Sequence, residues 1–304
     1  MLKQFFQGVP AAFLAYAAFS GSDALIKQAG SGHSSAHAGV FEIGFFVALF
    51  SILPVVLFRP AEERWRMIVS TKRPLLVHLR GISGVVGGLL SIYAFTHLPL
   101  AEAYALIFLI PVFVTILSVV ILHEPVGWRR WLAVFTGFGG VLLVVRPGFR
   151  EITIAHAAGI GVAFCGALTI ILLRTLAGSE RRSTLMGIII VYALVVNFVG
   201  MVLSGFTMPL GSLLAAMVGA GVLTGFAHIA LVQAASAPAN HIAPVQYSQI
   251  VWAVVLGALF FAEVPNLLTF AGLAVLALSG LFTFIREETR FGWSRRIPIL
   301  RNRL

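Results

Sequence analysis

The sequence predicts an all-α integral membrane protein of ten transmembrane helices, arranged as two inverted repeats of five. Three observations support this fold: the composition, ten separate apolar stretches, and basic residues confined to the connections between them. Of the 304 residues, 59% are hydrophobic and 11% are charged, with a mean hydropathy of +0.99. A soluble domain is about 25% charged. The chain therefore has too little polar surface for water, and a bilayer is its expected solvent.

The ten apolar stretches each approach the roughly 20 residues that a helix needs to cross the hydrocarbon core. Short connections join them, which leaves no room for a soluble domain. The first repeat, residues 1–150, contains the predicted spans Pro10–Ile26, Ala38–Phe58, Leu75–Tyr93, Leu100–Leu122 and Trp131–Val145. The second repeat, residues 151–304, contains Ile154–Leu173, Leu185–Ser204, Leu213–Gln233, His241–Phe261 and Leu267–Ile285, followed by a basic tail.

The basic residues predict the orientation in the membrane. The net charge is +10, but it lies in short clusters between apolar stretches, which favours the lipid bilayer over nucleic acid as a partner. With the N-terminus inside, nearly all Lys and Arg residues fall on the inner side, and the outer segments hold only Arg146, Arg150 and the helix-end residue Lys27. The positive-inside rule then places both termini in the cytoplasm of a multi-pass inner-membrane protein. We expect a monomer or a weak homodimer.

An internal repeat relates the fourth and ninth spans. Pro99 and Pro238 precede these spans, Glu124 and Glu263 follow them, and the separation along the chain is the same for both pairs. Five spans per copy is an odd number, so the second copy must enter the membrane in the opposite orientation. Inverted repeats of this kind are typical of secondary transporters.

Several motifs resemble the EamA branch of the drug/metabolite transporter superfamily. In the first half they are the stretch Tyr93–Ala103, Pro111-Val112-Phe113, Glu124 and the helix around Gly137–Val141; in the second half they are Ala230-Leu231 through Pro238, Pro244, Tyr247, Trp252 and Glu263. The resemblance implies a metabolite pathway between the third, fourth, eighth and ninth helices, with help from the first and sixth. The sequence is similar to bacterial exporters of amino acids and to riboflavin carriers. Amino-acid export is therefore the first expectation, and vitamin uptake is the alternative. Family members often carry an arginine in the second helix, where this chain has Glu42.

Polar and aromatic residues on these helices are the candidate pathway residues. Amides inside hydrocarbon are costly unless they are bonded. They either bond a neighbouring helix or line a hydrated cavity, and the sequence leaves both readings open. Pro111 should kink the fourth span, because proline removes one helical hydrogen bond. The predicted substrate-binding residues are Tyr93, Tyr104, Phe108, Pro111, His228, Gln246, Gln249 and Trp252.

Charges inside or beside the spans are candidates for ion coupling or gating. Asp23 and Lys27 are four residues apart, which favours an ion pair with each other near the outer helix end. Glu42 has no evident partner in the sequence. Arg80 stands at the cytoplasmic mouth of the third span, where it would attract a substrate carboxylate or meet lipid phosphates. Glu263, which ends a helix, is expected to bond loop backbone groups.

The sequence argues against an enzyme. The one alternative from that class is an intramembrane serine protease, because Gly81-Ile82-Ser83-Gly84 fits a GxSG pattern and His228 would be its base. No phosphate-binding loop or paired-cysteine metal site occurs, and Cys165 is the one cysteine. We expect neither metal nor cofactor. Charged rings that would select ions are absent, which disfavours a channel. A scaffold without transport would need no cavity.

Overall fold

We analysed a computed structural model, which describes residues 8–31, 38–57, 71–123, 126–148, 151–176, 179–180, 182–206, 208–209, 211–234 and 243–294. These residues form eleven α-helices and one 3₁₀ turn, which precedes α10. In chain order the helices are α1 Gly8–Gly30, α2 Val40–Leu57, α3 Pro74–His97, α4 Leu100–Ile107, α5 Ile110–Leu122, α6 Trp128–Val145, α7 Ile154–Leu176, α8 Arg182–Leu203, α9 Ser212–Ala234, α10 Ser248–Phe261 and α11 Leu267–Ser294; the turn is Ala243–Tyr247.

The prediction of an all-α membrane protein is confirmed. Six helical segments of the described chain are long and apolar enough to cross a membrane, counting α4 and α5 together, and four shorter apolar helices accompany them. Large apolar side chains cover the outside of the bundle: Leu203 is 82% exposed, Leu267 84% and Phe260 70%. A protein in water rarely exposes so much apolar surface, whereas lipid tails solvate it.

The fourth and ninth predicted spans both depart from a regular α-helix in the part of the chain that the structure describes. Helix α4 ends at Ile107, and Pro111 lies at the second position of α5. Proline has no N–H to continue the ladder of α4, so the chain restarts its helix there. The described part of the ninth span starts with the 3₁₀ turn and becomes α-helical at Ser248. The irregularity predicted at Pro111 therefore appears as a two-residue turn, Phe108 and Leu109, between α4 and α5.

Helix α1 occupies a central place in the bundle. It packs along α9 and also contacts α3, α10 and the 3₁₀ turn. Around it, α7 packs along α3, and α9 also packs along α2. On the other side α6 and α11 form a close pair, because a side chain on Gly140 would collide with the backbone of Gly272. This arrangement brings the polar face of α1 against α4 and α10.

Candidate functional site

A polar stripe runs along α1. Tyr16, Ser20, Asp23 and Lys27 follow one another at spacings of three or four residues, which places them on one face of the helix. Ser20 and Lys27 are buried, whereas Tyr16 and Asp23 are half-buried. An apolar helix that carries four polar groups on one face must satisfy them inside the bundle.

The centre of the stripe meets α4 and α10. The Tyr104 hydroxyl donates a hydrogen bond to Oδ2 of Asp23 and lies 3.2 Å from Oγ of Ser20. The side-chain amide of Gln249 donates to the Tyr104 oxygen across 3.4 Å. We call Ser20, Asp23, Tyr104 and Gln249 the central cluster. Tyr104 and Gln249 were predicted as pathway residues and Asp23 as a coupling candidate, whereas the sequence analysis missed Ser20.

Aromatic rings lie beside the central cluster. Phe95 packs against Tyr104 with ring centroids 5.2 Å apart. Phe108 and Tyr247 stack with centroids 5.0 Å apart and an interplanar angle of 16°. Phe108 lies between α4 and α5, and Tyr247 is the last residue of the 3₁₀ turn that precedes α10. The α4–α5 turn and the 3₁₀ turn therefore meet through aromatic side chains next to polar ones.

The remaining predicted pathway residues form no hydrogen bond or ring contact with the central cluster in the part of the chain that the structure describes. His228 is exposed, its Nδ1 is 2.8 Å from the Thr224 carbonyl oxygen, and its ring contacts Phe19 of α1 edge-on at 5.1 Å. Trp252 contacts Phe13 at 5.9 Å, and its buried indole nitrogen has no hydrogen-bond partner among the described residues.

Three more predicted residues lie apart from the central cluster. Tyr93 stacks on His97 at 4.1 Å, near the end of α3. Pro111 is exposed, and Gln246 is half-buried in the 3₁₀ turn. The structure thus brings Tyr104 and Gln249 together, whereas His228 of α9 and Trp252 of α10 contact earlier turns of α1, at Phe19 and Phe13.

Lys27 does not pair with Asp23, which corrects the sequence prediction. Its Nζ lies 2.6 Å from Oε1 of Glu263 and donates to the Leu98 carbonyl oxygen. The other oxygen of Glu263 accepts from the backbone N–H of Leu100 at 2.9 Å, and the ring of Phe261 lies 5.3 Å from Nζ. These contacts form what we call the Lys27 lock. The Leu100 N–H holds the Glu263 carboxylate at the N-terminus of α4, and this position is within ion-pair distance of Lys27 at the end of α1.

A second buried pair, which the sequence analysis did not identify, connects α4 to α7. Nε2 of His156 lies 3.1 Å from Oε1 of Glu102, and both side chains are buried. The Thr153 N–H donates to Nδ1 of His156, so Nε2 carries the proton that is donated to Glu102. Between this pair and the Lys27 lock lies a cavity of about 240 Å³, lined in part by Glu102, Glu263 and Asn266.

Known proteins share this sequence pattern. Residues 6–146 match the model of the EamA-like transporter family. A riboflavin transporter of Vibrio cholerae is 30% identical over 207 residues, which cover 67% of this chain and 69% of the relative. The chain belongs to the EamA-like transporter family.

Two further relatives match this EamA-like transporter over almost its whole length. An S-adenosylmethionine uptake transporter of Rickettsia prowazekii is 28% identical and covers 94% of this chain and 95% of its own. A pseudopaline exporter of Pseudomonas aeruginosa is 29% identical, with 90% and 95% covered. A solved crystal structure superposes with a TM-score of 0.63 at 14% identity, covering 93% of this chain and 99% of its own, which supports the fold.

The protease alternative is rejected, because the relatives are transporters and not enzymes. In this EamA-like transporter the Ser83 hydroxyl donates to the Cys165 carbonyl oxygen at 3.0 Å and accepts from Thr169 at 3.4 Å. These are contacts between α3 and α7. His228, the base of that hypothesis, bonds the backbone of its own helix instead.

The other coupling candidates lie away from the central cluster. Glu42 is half-buried in the first turn of α2, where its carboxylate accepts from the Gly39 N–H. Arg80 is buried and donates to the Leu185 carbonyl oxygen, while its Nε has no partner among the described residues. Arg80 therefore ties α3 to α8. Glu263 bonds the Leu100 N–H as expected, and its counterpart Glu124 lies outside the described residues.

Proposed function

We propose that this EamA-like transporter moves a small organic metabolite across the inner membrane by alternating access, along the polar stripe of α1. The observation that carries the proposal is the central cluster, where a carboxylate, a phenol and an amide from three helices meet inside an apolar bundle. Polar groups at such positions are expensive, and in membrane proteins they mark substrate or ion pathways. The sequence contains no phosphate-binding loop, so transport is secondary rather than driven by ATP.

The substrate that we favour is an amino acid moving outward. Hydrogen-bonding amides such as Gln249 orient a polar solute, and rings such as Trp252 stack on its flat part. The alternative is uptake of a vitamin, which one relative supports because it is named a riboflavin transporter. The other relatives are named for S-adenosylmethionine and pseudopaline, so the family's substrates include several kinds of metabolite.

The pathway is tested with purified protein in liposomes and labelled amino acids, riboflavin and S-adenosylmethionine. Gln249→Ala and Trp252→Ala should each lower the affinity for the transported compound about tenfold, since a lost hydrogen bond or stacked ring costs roughly 1–3 kcal/mol. Ser83→Ala is the control and should transport normally. If both site variants transport like wild type, or if both fail to fold, these residues only hold helices together and the site lies elsewhere.

We further propose that the two halves, residues 1–150 and 151–304, are inverted repeats related by a pseudo-two-fold axis. Helix α5 is capped by His123 at φ 53° and α10 by Ala262 at φ 55°, and these caps are as far apart in sequence as Glu124 and Glu263. The first residues of α6 and α11 have the same separation. Phe108 and Tyr247 share it as well, and they stack on each other. Equivalent residues touch only near a symmetry axis, so this pair supports an axis that passes near Phe108 and Tyr247.

The proposed orientation places both termini in the cytoplasm, because the basic segments collect on that side. In intact cells, a cysteine placed near Ser31 should react with an impermeant thiol reagent, and a cysteine placed near Ser294 should react only after the membrane is opened. Replacing Cys165 with alanine removes the background thiol. The reverse labelling pattern would contradict the orientation.

A further inference from the structure

Asp23 lacks a countercharge in the described part of the chain. Lys27, the cation one turn away on α1, is committed to Glu263 at 2.6 Å. Over the described ranges no Lys, Arg or His side chain forms an ion pair with Asp23. The hydrogen bond that its carboxylate receives there comes from the Tyr104 hydroxyl, to Oδ2.

The second oxygen of Asp23, Oδ1, has no hydrogen bond to any described residue, although the side chain is only half-buried. An ionised carboxylate taken out of water needs a cation or several donors to offset its lost hydration. One phenol hydroxyl supplies a single donor. The described residues therefore leave one carboxylate oxygen without a donor and its charge without a partner.

The neighbouring groups are arranged to keep this carboxylate an acceptor. The Gln249 amide donates to the Tyr104 oxygen, and the Tyr104 hydroxyl donates in turn to Asp23. Each donation strengthens the next one along such a chain. The open oxygen then suits a ligand group that is positively charged.

Aromatic rings flank the polar stripe of α1 between Asp23 and the N-terminal end of the helix. Phe19 is four residues before Asp23, on the same side of α1, and its ring meets the edge of His228. Six residues further back, Phe13 contacts Trp252, whose buried indole N–H has no partner among the described residues. The ten residues from Phe13 to Asp23 span about 15 Å of helix. Ring faces attract cations, and the free indole N–H offers a donor to a polar group at the other end of a solute.

We infer that Asp23 binds the cationic group of the substrate, so that the transported metabolite carries an ammonium or sulfonium group. This inference rests on the proposed function. It selects amino acids, amines and sulfonium compounds over a neutral solute such as riboflavin. Asp23 is then the residue that determines charge specificity, and Tyr104 positions its carboxylate.

The test measures flux into proteoliposomes with probes that differ in charge. The cationic-group probes are tryptophan, tryptamine and S-adenosylmethionine; N-acetyltryptophan and riboflavin lack the cation. Wild type should transport at least one cationic-group probe and neither of the others. Asp23→Asn keeps the shape of the side chain and should weaken uptake of that probe about tenfold to a hundredfold, because a charge-assisted hydrogen bond is lost. Asp23→Glu should restore part of the activity, and Glu180→Gln, between α7 and α8, is the matched control.

Folding is checked by the elution profile and the unfolding temperature of each variant. Transport of riboflavin or N-acetyltryptophan that Asp23→Asn leaves unchanged would overturn the assignment while the proposed function stood. Equal transport of a cationic-group probe by wild type and Asp23→Asn would overturn it as well. If wild type transports none of the labelled metabolites, the proposed function itself fails, and the inference with it.

Discussion

Asp23 on α1 and Glu263 next to the end of α1 are two carboxylates whose bonding partners differ. Glu263 has a cation at 2.6 Å and a backbone N–H at 2.9 Å. Asp23 has one phenol hydroxyl, and its second oxygen has no donor among the described residues. Both oxygens of Glu263 thus have partners within the protein, whereas Oδ1 of Asp23 gains a partner, under our proposal, when the cationic group of a substrate binds. The difference separates a charge that holds the fold from a charge that is kept for a ligand.

The Lys27 lock explains why the two carboxylates do not share one cation. Lys27 joins the end of α1 to the α3–α4 connection through Leu98 and to the α10–α11 connection through Glu263. A pair with Asp23 would have stayed within α1 and joined nothing. The lysine therefore closes one end of the bundle, and Asp23 remains open to the interior.

The largest expected effect is on stability, from Lys27→Met. Removing the cation leaves Glu263 paired only with a backbone N–H, and breaking a buried ion pair from one side costs about 3–5 kcal/mol. Because the Glu263 side chain is 24% exposed, we expect the lower end of that range, about 3 kcal/mol of unfolding free energy. Unfolding is followed in detergent micelles with increasing denaturant.

Two controls make this test specific. Lys27→Met combined with Glu263→Met removes both charges and should recover most of the lost stability, since paired charges exchange well for apolar side chains. Asp23→Asn should leave stability unchanged or raise it. Equal destabilisation by Asp23→Asn and Lys27→Met would show that both carboxylates stabilise the fold, and it would contradict the distinction drawn between Asp23 and Glu263.

The sequence predicted the features that depend on short stretches of chain. The helices follow from apolar length, and the break before α5 follows from Pro111, because a missing N–H acts on its own turn. The partner of Lys27 could not be predicted in this way. Asp23 is four residues away, whereas Glu263 lies in the other half of the chain. Spacing along a helix reveals only local pairs, so the local pair was expected and the distant one was missed.

The candidate site was predicted only in part, for a related reason. The sequence singles out polar and aromatic residues on these helices, but it does not say which helix turns lie at the same depth in the bundle. Tyr104 and Gln249 meet Asp23, whereas Tyr93 stacks on His97 and Trp252 reaches Phe13. Ser20 could have been predicted from its position, because it lies three residues before Asp23 on the polar face of α1.

A smaller effect is expected from Tyr104→Phe. This variant keeps the ring between Phe95 and Phe108 but removes the hydroxyl that donates to Asp23. Loss of one hydrogen bond to a charged group costs about 1.5–3 kcal/mol, and partial access of water to Asp23 should bring the loss of unfolding free energy to about 1.5 kcal/mol. Tyr192→Phe is the matched control, because its hydroxyl lies beside the exposed His78. Equal stability of wild type and Tyr104→Phe would mean that Asp23 does not depend on the phenol.

The smallest effect is expected at Glu180, which resembles Glu263 but lies between α7 and α8, away from the central cluster. Its Oε1 accepts from the Thr71 hydroxyl at 2.8 Å and from the N–H groups of Lys72 and Arg73 at 2.7 Å, just before α3 begins. Desolvation acts to raise the pKa of this carboxyl, but the hydrogen bonds from Thr71, Arg73 and Lys72 outweigh it and hold the pKa below its ordinary value of 4.5.

The sign of the pH dependence follows from that lowered pKa. The stabilisation by Glu180 is complete above pH 4.5 and is lost as the pH falls through the lower pKa of the folded state. Glu180→Gln should therefore lower the unfolding temperature slightly at pH 7, by less than Tyr104→Phe, because water and salt screen an exposed charge. The difference from wild type should shrink as the pH is lowered below 4.5. A difference that stays constant through that range would show that the carboxylate charge contributes nothing, and that the Oε1 acceptor alone caps α3.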